Sequence, residues 1–460
     1  HRLCREVLRY ENLYHHVPLG DVRPAGRAAA EPEQPPLRPP ADAQVDGAAG
    51  LRLQSADQNG RHHPGGGASA GERRPSAQNL CPAPGRKSGG ADGMIYLDNG
   101  ATSFRKPPGV YRAVERAMYT CANPGRGGYP AAMEASETVY ACREAAAELF
   151  HCRPEQVALT TSCTHGLNIA IRSIVKPGGR VIVSGFEHNA VTRPLHALGA
   201  DIRVAGRRLF DWEDTLSRFG RELKQGADAA VFTHVSNVFG YILPVEQLAE
   251  MCRKWRVPFI IDAAQSAGAL PVDLQALGAD FIAMPGHKGL LGPQGTGLLL
   301  CGGDAQPLLF GGTGSNSVNQ AMPDYLPDRL EAGTLNVPGY AGLTEGLRFV
   351  RRTGVENIFR REHWQLERCA EGLQKLGMEV FAGAHQASTV SFRPGMDCEE
   401  AATFLAKQGI AVRAGLHCAP FAHESAGTLE SGTVRVSFGH DASDAQTDAF
   451  LRTVSKLPRV

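Results

Sequence analysis

The sequence predicts an α/β fold: a large domain around a mostly parallel sheet, followed by a smaller C-terminal α+β domain. Three observations carry that prediction. From Met94 onward, short apolar runs alternate with stretches whose apolar residues recur at helical spacing. Several of those runs are apolar throughout, as expected of strands covered on both faces. After about Gly339 the order changes to two long helical stretches, then strands and a helix.

Taken in order, PPGVYRAVERAM and AAMEASETVYACREAAAELF have apolar residues at helical spacing and few breakers. VALTT reads as a strand leading into a helix from Thr164. RVIVS precedes a stretch from Ala190, and AAVFTHV precedes a helix from Val245. VPFIID, DFIAM and GTGLLLC then follow as strands. STVSF and TVRVSF are strands of the later unit, with a helix from Cys398 between them. The expected division is a large domain over residues 94–340, whose first segment packs with the small domain, and a small domain over residues 341–460.

Residues 1–93 differ from the rest. They are crowded with Pro, Gly, Ala and Arg, and only LCREVLRYENLY has an amphipathic pattern. Such a composition cannot offset its own ordering entropy. The expectation is a low-complexity extension, disordered or upstream of a true start at Met94. A targeting peptide is the alternative, although the stretch is long for one and contains acids.

Composition excludes some functions. A formal net charge of +1 gives no electrostatic reason to expect nucleic acid or an anionic membrane as partner. No apolar run approaches the roughly 20 residues that span a bilayer. The 11 cysteines are scattered singly without a CxxC pair, which argues against a disulfide framework or a metal site. They fit a reducing cytoplasm and one reactive thiol.

Four local features carry chemistry. Lys288, in MPGHKGLLGPQG, follows an apolar strand and is flanked by glycine, where desolvation would free its amine for a Schiff base. A turn lysine is the plain alternative. Asp262 ends the strand VPFIID, where a carboxylate can pair with a protonated pyridine nitrogen; taken singly, a helix cap is the better explanation. Thr164 stands at a strand-to-helix junction with Gly166 and Asn168 behind it, suited to a phosphate or to simple capping. His188, in SGFEHNAV, follows a strand and can lay its ring on a flat cofactor, although lone histidines are commonly structural.

In this order, YLDNGATS, EHNA, IDAAQ and GHKGLLGPQG resemble the motifs of fold-type I pyridoxal-phosphate enzymes of the class V aminotransferase group. RAGLHCA, spanning Arg413 to Ala419, is similar to the cysteine loop of the cysteine desulfurase and selenocysteine lyase branch. The similarity runs from Met94 to the C-terminus. It implies a seven-stranded type of sheet and pyridoxal 5'-phosphate as cofactor. Lys288 would carry the cofactor, Asp262 hold its ring nitrogen, Gln265 its ring hydroxyl, and His188 stack on the ring as a catalytic group. Thr164 and His287 would bind the phosphate, helped by the backbone at Cys163. Asn237 would lie near substrate and ring, and Arg435 would grip the substrate carboxylate with Arg413 nearby. Thr334 would reach a partner subunit's phosphate, implying a homodimer.

Cys418 would take sulfur from L-cysteine as a persulfide, releasing alanine, with His417 or Arg413 lowering its pKa. The compact cysteine loop resembles the branch that passes sulfur to a dedicated acceptor protein, for iron–sulfur cluster assembly or another fate. Three positions depart from the pattern: Pro285 and Cys163 replace hydroxyl residues near the phosphate, and His440-Asp441 stands where relatives have Tyr-Asn. The same groups would serve a selenocysteine lyase acting on L-selenocysteine. Another branch, such as an epimerase or aminotransferase, would not need Cys418. A cofactor-binding scaffold for sulfur-transfer partners would need neither Lys288 nor Cys418.

Overall fold

The computed structural model describes residues 93–125, 127–315 and 317–458, all within one compact unit. The extension expected over residues 1–93 lies outside the described residues except for Gly93. Thirteen strands are described: β1 (Ile95–Tyr96), β2 (Val157–Thr160), β3 (Arg180–Val183), β4 (Asp201–Val204), β5 (Ala229–Thr233), β6 (Phe259–Asp262), β7 (Phe281–Pro285), β8 (Gly297–Cys301), β9 (Glu379–Phe381), β10 (Thr389–Arg393), β11 (Ile410–Ala411), β12 (Arg413–Gly415) and β13 (Thr433–Ser437).

Seven of them form one sheet in the order β2-β8-β7-β6-β5-β3-β4. The sheet is mostly parallel, and the exception is β8, which runs antiparallel to both β7 and β2. The stretch between Pro285 and Gly297 contains no helix, so the chain turns back beside β7 instead of crossing over. Every residue of β5, β6, β7 and β8 is buried. Alternate residues of single strands enter different cores: Ile282 and Met284 join one cluster, Phe281 and Ala283 the other. Burial on both faces explains why these strands are apolar apart from Thr233 and Asp262 at the ends of β5 and β6.

A second, antiparallel sheet has the order β12-β13-β10-β9 and packs on its own cluster, including Phe392, Val436 and Phe450. The N-terminal segment reaches across the sequence to these elements. β1 pairs in parallel with β11, and Asp98 bridges Ser437. The helices Val337–Thr353 and Val355–Lys375 meet at Gly354, whose φ of 84° suits glycine.

This topology sets up the site. β3, β5, β6 and β7 are parallel, and β2 shares their direction because it is antiparallel to β8. Their carboxyl ends therefore open at one edge of the sheet, the place where ligands bind in open α/β sheets.

Candidate active site

Asp262 ends β6 and Lys288 follows β7, its neighbour in the sheet. Both line one cavity together with His188, Asn237, Gln265 and His287. Gly286, two residues before Lys288, lies so close to Thr296 that a Cβ there would collide with its hydroxyl oxygen. That tight approach fixes the backbone from which the lysine projects. Burial lowers the pKa of Lys288, and the nearby Asp262 only partly offsets the effect. Its amine is therefore more available as a base than a surface lysine's.

Asp262 is 2% exposed. Its Oδ1 accepts the Ala264 N–H at 2.9 Å and the Cys163 thiol at 3.4 Å. Asp262 thus closes a turn and caps no helix, which removes the alternative the sequence left open. Among the described residues no hydrogen bond to Oδ2 is seen. Burial pushes the Cys163 thiol far up, so it stays protonated as a donor. The side chain faces the carboxylate, so exchanging a hydroxyl for a thiol at this position acts on Asp262.

The helix expected from Thr164 begins one residue earlier, as Cys163–Ile174, and its cap is Ser162. Ser162 Oγ accepts the His165 N–H at 3.1 Å, and its carbonyl takes the Gly166 N–H at 3.2 Å. The N–H groups of Cys163 and Thr164 belong to the first turn, which has no intrahelical acceptor, and both residues line the cavity. Asn168 is spent on the Thr164 carbonyl at 2.9 Å and is not directed at the cavity. His188 caps the helix Asn189–Ala197 with its Nδ1, which accepts the Ala190 N–H at 3.0 Å. That bond places the ring proton on Nε2, and burial lowers the ring's pKa. Gln265 Nε2 donates to the Gly100 carbonyl at 3.0 Å, while Thr334 is exposed and outside the cavity lining.

Arg435, on β13, is 2% exposed and donates to Asp98 Oδ1 at 2.6 Å and to the Asn237 carbonyl at 2.9 Å. Its Nε and Asn237 Oδ1 are buried without partners among the described residues. Arg413 Nε donates to the second oxygen of Asp98 at 3.2 Å. One carboxylate thus organises both arginines, and it was not among the residues expected for the site. The signal was present in YLDNG: an acid two residues past a short strand. Ser162 was also missed, although a serine before a helical stretch is an ordinary cap signal.

Cys418 is exposed, and it shares a turn with His417 in which both have left-handed φ, 57° and 50°. Such a conformation costs roughly 1–2 kcal/mol per non-glycine residue. Three hydrogen bonds hold it. Ala419 N–H donates to the Leu416 carbonyl at 3.0 Å, Asn189 N–H to the Cys418 carbonyl at 2.8 Å, and Asn237 Nδ2 to the His417 carbonyl at 2.7 Å. His417 does not fill the charged role expected of it beside Cys418. Its ring is 8% exposed, lies 3.2 Å from the Thr433 carbonyl, and has its own pKa driven far down by burial and then by Arg435. A neutral ring supplies no positive charge to a thiolate.

The residues present fit a flat, phosphorylated pyridine. One cavity offers a carboxylate oxygen with no donor on it among the described residues, a helix N-terminus, a lysine of lowered pKa and an imidazole. With the sheet order and the small antiparallel unit, they define the class of pyridoxal-phosphate-dependent enzymes of fold type I. The chain belongs to the aminotransferase class-V family, whose model matches residues 95–450. A probable cysteine desulfurase of Pyrococcus abyssi is 30% identical over 382 residues, covering 79% of this chain and 94% of the relative. Another, from Methanothermobacter thermautotrophicus, is 31% identical, with the same two coverages of 79% and 94%. Among solved structures, the apo cysteine desulfurase of Thermococcus onnurineus is similar, with a TM-score of 0.73 and 30% identity, covering 79% of this chain and 94% of that one.

Proposed function

We propose that the protein is a cysteine desulfurase that converts L-cysteine to L-alanine and takes the sulfur onto Cys418 as a persulfide. One observation carries the reading. The strained turn bearing Cys418 is tied by Asn189 and Asn237 to the wall of the same cavity that Lys288 and Asp262 line. Pyridoxal phosphate, when bound, supplies an electron sink for the substrate's α-carbon. Asp262 holds the ring nitrogen through its free oxygen, Gln265 the ring hydroxyl, and His188 the ring face. Thr164, His287 and the Cys163 backbone hold the phosphate. Lys288 anchors the cofactor, and its Nζ, whose pKa burial lowers, moves the α-proton. Arg435 binds the substrate carboxylate, with Arg413 and Asn237 beside it. The Cys418 thiolate attacks the substrate sulfur; the carbon–sulfur bond breaks, and its electron pair passes to the β-carbon, which gains a proton as alanine forms.

The large domain is assigned to residues 94–340 and the small one to residues 341–460. Exposed Tyr111, Met118, Tyr119 and Met133, on the first two described helices, support a homodimer. In that dimer Thr334 reaches the phosphate held by the partner subunit. The exposed Cys418 suits transfer to a sulfur-acceptor protein. Nine free cysteines among the described residues suit the reducing cytoplasm, and none of the described helices is long and apolar enough to cross a membrane.

The test is alanine and sulfide release from L-cysteine with a reductant, comparing parent and Cys418→Ala. The expected result is that both keep the yellow absorbance of bound cofactor and only the parent releases alanine. Equal release by both would remove Cys418 from the reaction. A parent that takes up no added cofactor would end the reading at its first step.

A further inference from the structure

The segment Thr102–Lys106 lies far in sequence from the lysine strand, yet its donors converge on the peptide just before Lys288. The His287 carbonyl oxygen accepts the Ser103 N–H at 3.0 Å, the Ser103 hydroxyl at 3.0 Å and the Lys106 ammonium at 2.9 Å. Lys106 also donates to the Ser103 hydroxyl oxygen, which directs that hydroxyl's own proton toward the carbonyl. A carbonyl oxygen has two lone pairs, so three donors already oversubscribe it. Thr102 Oγ1 stands between two acceptors, 3.2 Å from this carbonyl and 3.0 Å from His287 Nδ1. Its single proton can serve only one of them.

We infer that Ser103 and Lys106 saturate the His287 carbonyl, so that Thr102 donates to Nδ1 and fixes His287 as the tautomer protonated at Nε2. The three residues are positioning residues: they determine whether the ring offers the cavity a donor or a lone pair. Among the described residues no hydrogen bond from Nε2 is seen, and His287 lines the cavity. A donor there attracts an anion, whereas a lone pair repels it. That the anion is the cofactor's phosphate rests on the proposed function; the tautomer does not. The ring holds one proton at neutral pH because burial, then Lys288 and Lys106, bring its pKa down to about 4. Lys106 makes no ion pair among the described residues. Burial lowers its pKa to about 8, which still leaves it a charged donor at neutral pH.

The test is nitrogen-15 NMR of the full chain, histidine-labelled and freed of cofactor, with His287 assigned by its loss in His287→Gln. The parent should show the Nε2–H pattern. In Lys106→Met the freed carbonyl competes for Thr102, so the Nδ1–H pattern should grow, and Lys106→Arg should restore the parent's. Pyridoxal phosphate should bind Lys106→Met about tenfold more weakly, with pyridoxal unaffected. Thr102→Val, which removes the donor to Nδ1, should shift the tautomer in the same direction if Lys106→Met does not fold. A parent ring protonated at Nδ1, or a tautomer unmoved in both variants, would overturn the inference. A parent with the Nε2–H ring that binds neither form of the cofactor would support the clamp and defeat the proposed function.

Discussion

Asp98→Asn removes one charge from the site while keeping its shape. Asp98 is the carboxylate paired with the buried Arg435, at 2.6 Å, and it also holds Arg413 at 3.2 Å. Arginine does not give up its proton, so the guanidinium would remain charged with its counter-charge gone. Removing one partner of a buried pair costs about 3–5 kcal/mol. The asparagine oxygen still accepts one hydrogen bond, which returns about 1 kcal/mol and brings the expected loss to about 2–4 kcal/mol. If Arg435 receives the substrate carboxylate, an amino acid then becomes the replacement anion. L-Alanine should raise the midpoint of the variant more than that of the parent and should bind about tenfold more tightly, equivalent to about 1.4 kcal/mol. Urea unfolding with and without L-alanine measures both effects. A variant as stable as the parent, with equal stabilisation of each by L-alanine, would refute the electrostatic account of Arg435 and its role as carboxylate receptor.

Cys163→Ala removes the thiol donor to Asp262 at 3.4 Å and should weaken pyridoxal phosphate binding about fivefold, read by titrating the absorbance of the cofactor-free protein. Lys288→Met should stabilise the cofactor-free chain near neutral pH. The folded-state pKa of Lys288 lies below its ordinary 10.5, so the buried charge destabilises the parent at low pH, and the gap should close as pH rises toward that value. A gap independent of pH would contradict this. Burial lowers the pKa of His234 from 6.5 to about 4, so the unfolded chain binds its proton first and stability is lost as pH falls through that window. His234→Gln should therefore lose about 3 kcal/mol less than the parent between pH 6.5 and 4 in urea midpoints.

The large sheet was legible because strands buried on both faces must be largely apolar, and β5 to β8 are, apart from Thr233 and Asp262 at two strand ends. The short strands β1, β9, β11 and β12 were not, since two or three residues carry too little periodicity to register, and β4, DIRV, is half polar and only partly buried. The helix cap at Ser162 was readable by its residue type. The failed role of His417 was not, because a histidine beside a cysteine looks the same in sequence whether its ring is exposed and charged or buried and neutral.

By itself the sequence determined the α/β architecture, the lysine, aspartate and cysteine motifs, and the cofactor they call for, because each is written in local residue order. The tertiary structure alone decided how these groups are held. Asp98 joins Arg435 and Arg413 across more than 300 residues, helix Asn189–Ala197 holds the Cys418 turn by its first N–H, and Thr102 to Lys106 grip the peptide before Lys288. Such contacts arise from sheet order and domain packing, and no local pattern encodes the separation between two hydrogen-bonding atoms that the chain brings together only when folded.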